Sequence, residues 1–296
     1  MSRNFRLGSR DMGKAGYYAL DRERKAGQIS YSTVATNSQR FNDFCDYAKS
    51  VGINKMENVT HDILRGYADH LKNENLSTST IQNRISSVNS VMSAATGGRW
   101  TALTAVHDLN VKRRTRVRTQ VADGMNRTGV EDAAKCLRTA GLENAAGVIE
   151  LARDLGLRCK EASLLPLSHA VLQAEKFGHV TINYGTKGHQ ARQVPVSGKA
   201  LERLRLLAAG CPEICLVPDM QTYRQFVDSE LREARSVLKI HKISRPHELR
   251  AAYAQERYEQ LIEQGVAEKN ARMVVSEELG HHRIDVVSSY IVRDRL

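Results

Sequence analysis

Residues 112–118 read KRRTRVR, five basic side chains in seven with Val117 as the one strong apolar residue. No core can be built from such a stretch, and the polar run continues through Gly124 to Gly129. The chain is therefore expected to fold as two units joined by a basic linker over 112–128. The predicted extents are an N-terminal extension at 1–30, free to be flexible, a helical unit at 31–111 and a second unit at 129–296. A chain of 296 residues is long enough for two cores.

The first unit reads as helical. Val34, Ser38, Phe41, Phe44, Cys45 and Ala48 follow helical spacing. Thr60 is an expected N-cap for a helix with Ile63, Leu64, Tyr67 and Leu71 on one face. A third helix is expected to begin near Ser77 or Ser79, with Ile81, Ile85, Val88 and Met92 in a stripe and Gly97-Gly98 at its end. These stripes are core faces. A short segment around 100–111 leads to the linker. The opening residues, MSRNFRLGSRDMGKAG, are basic and lack the apolar run of a signal peptide.

The second unit is mixed. Residues 130–155 space Ala, Leu and Val as helices do. Strand-like pieces follow within 170–184 and 190–196: HVTINY, a GTKGHQ turn and ARQVPV, the pattern of a hairpin. Helices return over 198–208, 220–238 and the last fifty residues, with Pro246 just before one start. The expected fold class is mainly α with a small β-sheet.

Lys and Arg total 44 against 33 Asp and Glu, a formal charge of +11. That excess favours a polyanionic partner, nucleic acid above all. Aromatics are scarce, 5%, and no aromatic-rich RNA-binding motif appears, which tilts the expectation to duplex DNA held through its phosphates. On the linker, Lys112, Arg113, Arg114, Arg116 and Arg118 are the candidate phosphate contacts. No run of eighteen apolar residues occurs, so no membrane span is expected and the chain reads as cytosolic. The five cysteines are scattered, as reduced thiols are, and Cys211 and Cys215 lack the second ligand pair of a zinc site.

Six polar residues in the second unit make a chemical set. They are Arg158 in LGLRCKE, Lys187 in the Gly-flanked turn, His247 and Arg250 in HELR, His281 in LGHH, and Tyr290 nine residues later. Cutting a phosphodiester requires neutralising its non-bridging oxygens, supplying a nucleophile and protonating the leaving 5′ oxygen. Two guanidinium forks fit the first task, with hydrogen bonds from His247 and His281 beside them. Tyr290 fits the second, provided that cations and a base favour its phenolate, because a free phenol titrates near 10. His247 is the candidate proton acceptor and Lys187 the candidate general acid. Glu161, three residues beyond Arg158, would orient a neighbour rather than touch DNA.

Each residue alone has an ordinary explanation: a surface ion pair for Arg158, a solvated turn for Lys187, a helix cap for His281, a packing role for Tyr290. In order and spacing together, they resemble the tyrosine recombinase (phage integrase) family. The matching motifs are LGLRCKEASLL, GTKG, HELR, and LGH with its tyrosine nine residues on. The resemblance covers about residues 125–296; residues 31–98 resemble the family's helical core-binding domain by pattern.

The resemblance implies a two-domain DNA clamp, with a helical, SAM-like core-binding domain and an α+β catalytic domain. Tyr290 would form a 3′-phosphotyrosyl link, and a 5′ hydroxyl from a partner strand would then rejoin the DNA. No cofactor is implied, because the covalent link conserves the bond energy. It also implies duplex DNA with specific recombination sites and a homo-tetramer working through a Holliday junction. Accessory DNA-bending proteins, integration or excision of a mobile element and a bacterial or phage-infected cell fit the same picture. Two departures stand out. Ala251-Ala252 follows HELR where many relatives carry a further basic residue, and the residues after Tyr290, IVRDRL, are shorter than the helix many relatives pass to a neighbour, implying assembly through other contacts.

Other readings fit less well. A zinc-protease helix needs histidine where Ala251 stands. The GTKG turn lacks the spacing and hydroxyl residue of a nucleotide-binding loop. A type IB-like topoisomerase shares the chemistry but matches the motifs less well, and a catalytically silent DNA-binding regulator would not need every expected position occupied.

Overall fold

A computed structural model describes residues 3–114, 117–186, 188, 190–211 and 214–292. The chain divides into two units, 1–115 and 116–296.

The first unit is built on four helices: α1 (Met12–Lys25), α2 (Tyr31–Ser50), α3 (His61–Asn73) and α4 (Thr78–Thr96). Thr60 caps α3 and Ser77 caps α4 through their hydroxyls, satisfying backbone N–H groups that a helix start leaves free. Gly97 ends α4 in the left-handed region. Phe41, Phe44, Tyr67, Leu71, Ile85 and Val88 are all buried. The expected flexible extension is corrected here. Met12, Ala15, Ala19 and Leu20 lie on one buried face of α1, which packs against α2 and α4. Buried Asn4 anchors the preceding turn, donating to Ser9 and Arg10 carbonyls and accepting from the Met56 amide. The apolar face was hidden because four of its six buried residues are alanine or glycine.

The second unit begins with α5 (Arg127–Thr139), α6 (Glu143–Asp154), a short α7 (Cys159–Ser163) and α8 (Leu167–Phe177). A two-stranded antiparallel hairpin follows, β1 (His179–Ile182) with β2 (Arg192–Pro195), in which Val180 faces Val194 and Ile182 faces Arg192. Then come α9 (Gly198–Gly210), α10 (Tyr223–Asp228), α11 (Glu230–Ile240), α12 (His247–Glu263), α13 (Glu268–Glu278) and α14 (Ile284–Val287). The helix expected over 220–238 is broken at Ser229. Helix α6 runs through the core with nearly every residue from Ala145 to Arg153 buried.

Part of the expected linker belongs to this second core. Ala122 is buried, Gly124 packs against Leu249, and Asn126 caps α5. Polar sequence hid these contacts because they use backbone and small side chains. Among the described residues, no helix is long and apolar enough to cross a membrane.

Candidate active site

Helix α12 supplies His247 and Arg250, one turn apart on one face. The C-terminal end of α13 supplies His281: Gly280 and His281 donate their amides to the Glu277 and Ser276 carbonyls. Gly280 has φ +64, and a Cβ there would meet the Arg192 side chain at 2.8 Å, so this turn requires glycine. After α14 the chain turns back, with the Tyr290 and Ile291 amides on the Val287 carbonyl, which directs the Tyr290 ring inward.

These pieces meet at one phenol. The Tyr290 hydroxyl lies 3.1 Å from His281 Nε2 and 3.2 Å from His247 Nε2. The Arg250 guanidinium stands 5.9 Å from the Tyr290 ring centroid, and its Nη2 is 3.5 Å from His281 Nε2. Tyr290 is 6% exposed and Arg250 fully buried. His281, not His282, reaches the phenol; His282 is exposed.

Arg250 is oriented by carbonyls at two helix ends. It donates to Gly156 at 2.5 Å and to Leu279. Beside it, fully buried Glu161 gathers three guanidiniums. Arg158 Nη1 donates to it at 2.6 Å, Arg192 binds both its oxygens at 2.9 and 2.7 Å, and Arg250 Nη1 lies 3.6 Å away. Burial alone would push the Glu161 carboxyl up. Arg192 overrides that with its hydrogen bonds and charge, and the carboxyl is held down to about 2.

The imidazoles move the other way. Burial first, then the charges of Arg250 and Arg158, pushes His281 down to about 4. Burial and Arg250 also lower His247. Burial, with Arg158 nearby, pulls Arg250 to about 10, which leaves it cationic at neutral pH. The site thus sets two imidazoles of lowered proton affinity against the phenol and three guanidiniums against one carboxylate. Its surplus positive charge suits a phosphodiester.

The remaining predicted residues fall as follows. Arg158 caps α7 and keeps part of its side chain exposed, at 22%. Lys187 and Arg116 lie outside the described residues. Gly185 itself abuts α7: at φ +70, a Cβ there would lie 2.8 Å from the Lys160 carbonyl oxygen. Lys112, Arg113 and Arg114 are exposed at the end of the first unit. Arg118 departs from the expected phosphate contact: its guanidinium is turned inward onto buried Glu248.

Arg192 is the residue that motif spacing missed. It ties Glu161 to the end of α13, where its Nε donates to the Glu278 carbonyl at 2.6 Å. The signal for it lies in ARQVPV, where alternation puts an arginine in the inward register with Val194. Among the described residues, no group of three or more His, Cys, Asp or Glu side chains is placed to hold a metal ion.

The model of the phage integrase N-terminal SAM-like domain matches residues 22–97, and that of the phage integrase family matches residues 126–295. The chain belongs to the phage integrase family, the tyrosine recombinases, which break and rejoin DNA strands. No curated protein sequence matches it. Several solved structures share the two-domain fold. The Tn1549 transposon integrase in complex with transposon right end DNA has a TM-score of 0.62 at 12% identity, over 92% of this chain and 93% of that one. The XerH site-specific recombinase bound to palindromic difH substrate scores 0.59 at 16%, over 95% and 80%. A lambda integrase tetramer bound to a Holliday junction scores 0.58 at 18%, over 94% and 78%.

Proposed function

We propose that this recombinase acts on duplex DNA through Tyr290, with Arg158, Arg250, His247, His281 and Lys187 around the scissile phosphate. The observation that carries the reading is the Tyr290 hydroxyl held between two imidazoles with a buried guanidinium against its ring. The phenol has one proton, so only one Nε2 can accept it while the other donates to the oxygen. An arriving phosphate draws Arg250 and His281 to its non-bridging oxygens as donors and leaves His247 to take the proton. The Tyr290 oxygen then bonds to phosphorus and the bond to the 5′ oxygen breaks. Lys187 protonates that oxygen, and a 5′ hydroxyl from a partner strand reverses the steps to rejoin the DNA.

The domain assignment belongs to the same proposal. The first unit would grip DNA as the core-binding domain, with Lys112, Arg113 and Arg114 contributing phosphate contacts, and the second would cut. Assembly as a tetramer on paired specific sites through a Holliday junction is supported by the lambda integrase likeness, and movement of a mobile element by the Tn1549 likeness.

The test is a suicide substrate. Nicked duplexes made from DNA flanking the gene should trap a covalent protein–DNA adduct without added metal. Tyr290→Phe should abolish the adduct and keep DNA binding. Binding with no adduct from the unaltered protein would mark a silent regulator, and relaxation of a plasmid lacking paired sites would mark a topoisomerase.

A further inference from the structure

Arg118 belongs to the basic run, yet little of it is offered to solvent: its side chain is 14% exposed. Its guanidinium pairs with Glu248, whose side chain is 6% exposed, and its Nε donates to the Gln120 carbonyl at 2.7 Å. Its backbone is equally engaged. The Arg118 amide donates to the Ser288 carbonyl at 2.8 Å, and residues 118 and 292 form a parallel bridge. On the other side of that segment, buried Gln255 of α12 accepts the Val292 amide at 2.6 Å.

The two ends of this bracing flank the site. Ser288 and Val292 bracket Tyr290, and Glu248 follows His247 in the first turn of α12. Helix α14 stops at Val287, so no helix holds Tyr290. Its ring position depends on the buried anchors Val287 and Ile291 and on what pins the backbone at 288–292. One residue touches both that backbone and the neighbour of His247.

We propose that Arg118 is a positioning residue of the cleavage site: it braces the Tyr290 segment against the first turn of α12 and so sets the reach from the phenol to His247. The inference rests on the reading of Tyr290 as nucleophile. A misplacement of about 1 Å at a reacting centre lowers a rate by roughly 100-fold, so a brace of this kind is read most clearly in rate. A residue that neutralised a phosphate would be read in affinity instead, and its removal would make the salt dependence shallower by about 0.9 log units.

Single-turnover adduct formation and duplex affinity should be measured for Arg118→Ala, Arg118→Lys and Glu248→Gln on nicked duplexes from the flanking DNA. Arg118→Ala is expected to slow cleavage at saturating duplex by roughly 10- to 100-fold, with affinity and salt slope unchanged. Glu248→Gln should slow it too, and the double variant should fall short of the two effects multiplied, because both break the same ion pair. Arg118→Lys, which keeps the charge but not the fork, should fall between and guards against a folding defect. Weaker, less salt-dependent binding with unaltered cleavage at saturation would overturn the proposal. Hydrogen exchange on the free protein tests it apart from catalysis. The 288–292 amides should lose protection in Arg118→Ala while the α6 amides keep theirs; unchanged protection at 288–292 would overturn the brace whether or not the protein cuts DNA.

Discussion

The phenol side and the guanidinium side of the site are a few ångströms apart, yet their charges are opposite in fate: Glu161 and Arg250 are fully buried, whereas His281 is half-buried and His247 keeps an exposed edge. On the phenol side, burial and nearby cations strip His281 of its proton, down to about 4, and lower His247 as well. On the other side, the Arg158, Arg192 and Arg250 guanidiniums gather around a carboxylate held at about 2. The difference is Glu161. A buried charge survives where a counter-charge and hydrogen bonds meet it, and otherwise the group neutralises. The pocket can therefore store positive charge for a phosphate and still keep imidazoles ready to accept a proton.

The comparison breaks first at the arginines, where the largest effects are expected. Arg158→Ala and Arg250→Ala should each slow adduct formation by roughly 100- to 1000-fold while leaving duplex affinity nearly intact. Arg250→Ala should also lower stability, by about 3 kcal/mol, because the Gly156 and Leu279 carbonyls lose their buried donor, a larger loss than at partly exposed Arg158. Single-turnover cleavage, binding and thermal unfolding measured together separate the two. Equal losses of rate and affinity would mean that both arginines merely bind.

Arg192→Ala sharpens the contrast at the counter-charge. Glu161 has a folded value below its ordinary one, so its contribution is fully present above about pH 4.5 and is lost as pH falls toward 2. Removing Arg192 leaves the buried carboxylate with fewer partners. Stability at neutral pH should drop by about 3 to 5 kcal/mol, and the acid-unfolding midpoint should move to higher pH. Circular dichroism across the acid range checks this; an unmoved midpoint would show that Arg192 does not hold the carboxylate down.

The smallest effect is at the imidazoles. An NMR titration of the free protein should find His281 neutral at pH 6.5 and His247 titrating below its ordinary value. Because the folded value of His281 lies below the unfolded one, its contribution to stability is complete above about pH 6.5 and declines as pH falls toward 4. Arg158→Ala should raise His281 modestly, since that charge is one of its depressing causes. A His281 that titrates near 6.5 in the free protein would erase the contrast between the two sides.

Much of this architecture can be read along the chain. Thr60 and Ser77 announce their helices because a hydroxyl cap is a local interaction. The Ile81, Ile85, Val88 stripe is a core face in the structure, and HVTINY with ARQVPV is a hairpin. His281, His247, Arg250, Arg158 and Glu161, named by type and spacing, come together around Tyr290 or the carboxylate beside it. Helix α1 was not legible, because alanine and glycine at an interface look like a polar segment until the partner is present. The partners of Arg192 and Arg118 were not legible either: alternation could place Arg192 inward, but the carboxylate that each meets lies far away in sequence.

By itself, the order of residues determined the helices with local caps, the hairpin and the types and motif spacing of the polar groups that meet at Tyr290, since these depend on neighbours a few positions apart. Only the tertiary structure decided which arginines gather at the Glu161 carboxylate and which turn to Glu248, and which imidazoles bind a proton less readily. Burial and charge pairing act through space, between segments separated by tens to more than a hundred residues, and no local pattern records them.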